Sequence, residues 1–114
     1  MDINEYSRKA TATAIYPNQH GFRKDNLGGI HYVLHGLTGE VGELAQLVKK
    51  HIRDGGSNTA LRWAAGREIG DILWYVNAVA EEFDLTLEDI ATENLEKLAG
   101  RASRGTLTGS GENR

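Results

Sequence analysis

Two helix-length segments of this chain each set a pair of acids, three residues apart, into an otherwise apolar face. They are Glu40 and Glu43 in GLTGEVGELAQLVKK, and Glu68 and Asp71 in REIGDILWYV. With Glu40 as zero and about 100° per residue, Val33, Leu37, Leu44, Leu47 and Val48 fall between roughly −20° and +80°, with Glu43 near −60°. With Glu68 as zero, Leu61, Ile72, Tyr75, Val76 and Val79 fill that same sector and Asp71 lies at about −60°. Ionised carboxylates are expensive to bury alone. Any fold of this chain must therefore bring the two faces together around positive charge. The short glycine-bearing link DGGSNT between the segments makes them antiparallel neighbours.

The remaining elements follow from caps and breakers. Asn4 is a candidate N-cap for a first helix reaching about Ile15, weakened by β-branched Thr11, Thr13 and Ile15. YPNQHGFRKDNLGG, residues 16 to 29, holds the sole proline and reads as a long, functional loop. Helices are then expected from about Ile30 to Arg53 and from about Thr59 to Phe83, the latter capped by Ser57, Asn58 or Thr59. A fourth starts behind Thr86, with Asp89 three residues on, and runs to about Arg104. No stretch alternates like a strand. The expectation is an all-α, four-helix up-and-down bundle, one domain over residues 1–104, with a polar, glycine-rich tail over 105–114 that frays unless a ligand or partner holds it.

Composition narrows the function classes. A formal net charge of −3 argues against binding a nucleic-acid backbone, though not a mononucleotide. The absence of cysteine excludes thiolate metal sites. No signal-like start and no apolar run of membrane-spanning length is present, so a soluble, cytoplasmic protein with no membrane partner is expected.

Carboxylates converging between two helices repel by about 4 kcal/mol per close pair at an effective dielectric near 20. No lysine or arginine on these helices falls in the acid sectors, which makes a divalent cation the natural counter-charge. Oxygen-only donors favour Mg2+, with Mn2+ as a substitute. Magnesium completed by phosphate oxygens points to phosphate chemistry. A di-iron site would require Glu-x-x-His on two helices, and here the residue three after each first acid is again an acid. His31 and His35, at i,i+4, lack an evident third ligand and read as pocket wall or solvated residues.

The pattern EVGE, a spacer from 44 to 67, then EIGD, together with the trailing NLEKLAGRASRGTLTGSGENR, resembles the MazG-like nucleoside triphosphate pyrophosphohydrolases of the all-α NTP pyrophosphatase superfamily, over roughly residues 28 to 114. The resemblance implies Mg2+-dependent hydrolysis of an NTP or dNTP between the α and β phosphates to a nucleoside monophosphate and pyrophosphate, by a homo-dimer or homo-tetramer. It implies Glu40, Glu43, Glu68 and Asp71 as metal ligands and catalytic residues, with Asn94 and Lys97 touching substrate. Some relatives carry an acid where this chain has Gly39, which leaves the number of ions open.

Asn94, Lys97, Arg101 and Arg104 form one polar stripe on the last helix, suited to gripping polyphosphate or to facing solvent at a helix C-terminus. Tyr75, four residues after Asp71, is placed to flank sugar or base, or to be buried with its hydroxyl bonded. Tyr16, Phe22, His31 and His35 are further candidates for base contact. Trp63, Arg67, Gly70 and Trp74 form a second stripe, far from the acids, that suits either a homo-oligomer interface or packing against the first helix. The rival class is a non-catalytic helical module that senses nucleotides or binds proteins.

Overall fold

A computed structural model describes residues 1–112; residues 113 and 114, the end of the tail, lie outside the described residues. It contains α1 (Ile3–Thr11), a 3-10 turn (Gly21–Lys24), α2 (Gly28–Asp54), α3 (Asn58–Glu82) and α4 (Leu87–Arg104), and no strand among the described residues. The chain is all-α, as its periodicity predicts. No helix among the described residues is long and apolar enough to cross a membrane.

Local chemistry sets the ends. Ser57 accepts from the Ala60 N–H at 3.3 Å and starts α3, and Thr86 accepts from the Asp89 N–H at 3.1 Å and starts α4. Gly105, at φ 69°, stops α4 in the left-handed conformation. The first helix departs from expectation at both ends. Its cap is Asp2, which accepts from the Glu5 N–H at 2.8 Å, while Asn4 instead donates to Glu88 at 2.8 Å. It stops at Thr11, four residues short of Ile15, and the Thr13 hydroxyl donates back to the Ala10 carbonyl at 2.7 Å.

The dominant packing is the antiparallel α2–α3 hairpin, with α1 laid on α3 and α4 docked chiefly on α1. The buried apolar side chains, Ala10, Ile30, Val33, Ala78, Ala80 and Leu87, gather where the start of α2, the end of α3, α1 and the start of α4 meet. Asn77 stitches this end: it accepts from the Ser7 hydroxyl at 2.6 Å and donates to Thr11 Oγ1 at 3.1 Å. The residue 16–29 loop is tied to the same end by Glu82. That buried carboxylate accepts from the Tyr16 hydroxyl and from the His20 N–H at 2.9 Å. Arg23 adds an ion pair to Asp84 at 2.6 Å.

The rest of the hairpin stands out from this core. The Cα radius of gyration is 17.2 Å, against about 13 Å for a compact chain of this length. Leu34, Val41, Val48 and Ile52 on α2, and Ile69 and Leu73 on α3, are all exposed.

Two glycines give opposite expectations for stability. A Cβ at Gly29 would meet the Asn18 carbonyl and Glu82 Oε1, each at 2.5 Å, whereas one at Gly39 would meet nothing within 4 Å. Gly29→Ala should destabilise the chain by about 1–3 kcal/mol through overpacking. Gly39→Ala should stabilise it by about 0.5–1 kcal/mol, by removing helix-interior glycine entropy. Urea titrations followed by circular dichroism check both signs.

Candidate metal centre

Because α2 and α3 run antiparallel from the turn at residues 55–57, Glu40 on one helix comes level with Glu68 and Asp71 on the other. Each of these three acids offers a carboxylate oxygen, and the three oxygens lie within 4.8 Å of one another. Glu40 and Glu68 are half-buried and Asp71 is exposed. Glu43 is exposed and lies outside this three-acid group.

The electrostatics show the strain of this meeting. Partial burial comes first in pushing the Glu40 carboxyl above the ordinary carboxylate range, followed by the charge of Asp71, a hydrogen bond with Glu68, and the charges of Glu68 and Glu43. No lysine or arginine among the described residues forms an ion pair with any of the four acids. The donor set fits a hard divalent cation. Glu40, Glu68 and Asp71 would hold such an ion, leaving further positions to water or ligand oxygens.

Beside the acids opens a cavity of about 410 Å³ lined by Thr13, Glu40, Asp71, Trp74 and Tyr75. Its volume is in the range that takes a small-molecule ligand. The Tyr75 ring reaches this wall because Gly36 opposite has no side chain; a Cβ there would collide with the ring. Burial, then Tyr32, Glu40 and Asp71, hold the Tyr75 hydroxyl in its neutral form by raising its pKa. Tyr6 on α1 is raised likewise, by burial and then by Asp71. A second groove, of about 630 Å³, runs from Glu68 and Asp71 along α3 past Ala64, Arg67, Ala60 and Trp63.

The residues singled out from the sequence divide. Glu40, Glu68, Asp71 and Tyr75 come together. Asn94 is exposed on α4, and Lys97 and Arg101 pair with Glu112 of the tail instead of with the acids. His31 and His35 stack with ring centroids 6.4 Å apart and are not part of the acid group. Tyr16 stacks on Tyr32 with ring centroids 5.3 Å apart. The tryptophan stripe is split: Trp74 turns inward, donating to Thr13 Oγ1 at 2.8 Å and meeting Tyr75 edge-on, whereas Trp63 remains 75% exposed. Thr13 and Tyr6 were not legible beforehand, since only the docking of α1 on α3 brings them here. Glu82 gave no signal either, because nothing in its sequence neighbourhood marks it as buried.

A family model described as the MazG nucleotide pyrophosphohydrolase domain matches residues 29–105. The chain is also similar to a protein named "Gene 37 protein" from Mycobacterium phage L5, at 40% identity over 116 residues spanning all of both chains. No solved structure matches it.

Since Glu40 must lose its proton to ligate a cation, metal binding should couple to pH. With its pKa raised in the fold, Glu40 keeps a proton the unfolded chain has lost, so its contribution to metal-free stability falls as pH rises through that window. Bound metal reverses the sign. The gain in thermal stability from Mn2+ should therefore grow as pH rises past the ordinary carboxylate range, reaching about 2.7 kcal/mol at a hundredfold excess over Kd. Melting curves of the wild type and Glu40→Gln check this. A gain independent of pH, or retained in the variant, would count against the site.

Proposed function

The chain belongs to the MazG nucleotide pyrophosphohydrolase family, and from that premise we propose that it hydrolyses nucleoside triphosphates, NTP or dNTP, between the α and β phosphates, releasing a nucleoside monophosphate and pyrophosphate. The observation that carries this reading is the meeting of Glu40, Glu68 and Asp71 across the α2–α3 hairpin, with no lysine or arginine among the described residues ion-paired to them. These three hold Mg2+, for which Mn2+ can substitute. When bound, the ion shields the phosphate charge and lowers the pKa of water.

The chain's own groups supply the rest. Glu43, solvent-exposed and close enough for its charge to act on Glu40, completes the ligand set and accepts the proton of the attacking water on a carboxylate oxygen. Tyr75, held in place by Gly36 and Trp74, forms a flat wall for sugar or base. Lys97 and Arg101, with Asn94 on the same stripe, supply cationic contacts to the leaving phosphates. No histidine base or serine nucleophile is needed.

The functional form in this reading is a homo-oligomer, a dimer or tetramer. Leu34, Val41 and Val48 recur every seven residues along α2, with Ile52 one turn further, and Ile69 and Leu73 are exposed on α3. An apolar stripe of that length on so open a chain fits a second copy of the hairpin.

Incubation with each common NTP and dNTP and Mg2+, with separation of the products, tests the activity. Monophosphate and pyrophosphate are expected; binding without turnover would favour a sensor, and neither would favour an interaction module. Asp71→Ala should lower turnover by at least about a hundredfold without loss of helicity. In sedimentation analysis the wild type should exceed the monomer mass and Val41→Glu should shift toward it; a monomeric wild type would refute the assembly.

A further inference from the structure

Arg101 is 4% exposed, yet its Nε is buried without a hydrogen-bond partner. A buried guanidinium so poorly satisfied calls for an anion. The chain's own tail fills this role loosely. Arg101 Nη2 donates to the Glu112 backbone carbonyl at 3.3 Å and stands 3.9 Å from its carboxylate, well beyond the roughly 2.8 Å of a good charge-assisted bond. Lys97 Nζ donates to the other carboxylate oxygen at 3.2 Å. The tail reaches this position because Gly105 turns it at φ 69° and the Thr106 N–H donates to the Arg101 carbonyl at 2.8 Å; Gly109 and Gly111 then bend it at positive φ.

We infer that Lys97 and Arg101 form a seat for a phosphate-type oxyanion and that Glu112 is its exchangeable internal occupant, leaving when pyrophosphate or the phosphates of a nucleotide arrive. This rests on the polyphosphate reading above. Three features favour exchange. The Glu112 side chain is 80% exposed, so leaving costs it little solvation. The glycine-rich tail gains freedom on release. Pyrophosphate offers more oxygens than one carboxylate and can satisfy Nε and Nη2 together, which Glu112 does not. The tail then acts as a competitive strap that keeps a buried cation neutralised between turnovers.

The test is calorimetric titration of the full chain with inorganic pyrophosphate, with a chelator present so that no divalent cation bridges ligand to the acids. Wild type should bind, Glu112→Gln should bind about tenfold more tightly, and Lys97→Ala in the Glu112→Gln background should remove that gain. Amide exchange over residues 105–112 of the wild type should accelerate when pyrophosphate is added. Equal affinity of wild type and Glu112→Gln, or no binding by either, would overturn the strap. An active enzyme whose pyrophosphate affinity ignores Glu112 refutes the strap alone. An inactive chain that shows the Glu112→Gln gain refutes the hydrolase reading alone.

Discussion

Mutual repulsion among Glu40, Glu68 and Asp71 is the constraint on which the rest of this structure depends. Three carboxylates held within 4.8 Å, two of them half-buried, are an arrangement that folding alone disfavours. The α2–α3 hairpin enforces it, and the packed core at the other end of that hairpin anchors both helices. Val33, wholly buried, stands seven positions before Glu40 on α2. Stability is thus concentrated about two turns or more from the acids, and the acids themselves are left available to a cation.

How much could be read in advance follows from the range of each interaction. The acids were legible because helix periodicity is local: the position of Glu40 inside an apolar stripe follows from its neighbours within two turns, and so does that of Glu68. The caps Ser57 and Thr86 were legible for the same reason. Thr13 and Tyr6 were not, because their roles arise from how the start of the chain meets α3, more than sixty residues away in sequence. Glu82 illustrates the limit most sharply. It stands in a charged run at the end of α3, yet the returning loop through Tyr16 and His20 buries it. The hold of Glu112 on Lys97 and Arg101 was likewise hidden in a tail whose composition suggests fraying.

Membership of the MazG nucleotide pyrophosphohydrolase family and the physical reading of the hairpin support each other from independent directions. The family match bears on descent and does not depend on where any side chain points. The geometry bears on charge and does not depend on relatives. Cations on α4 are engaged by the tail, and the acids on α2 and α3 by nothing cationic among the described residues, which leaves those acids open to the ion that we propose.

The central claim is that these acids share a divalent cation. Anomalous diffraction from crystals grown with Mn2+ tests it most directly. The account predicts a manganese peak between Glu40, Glu68 and Asp71, at about 2.0–2.3 Å from at least one oxygen of each. Full-occupancy manganese elsewhere, with these carboxylates bonded only to water, would contradict it.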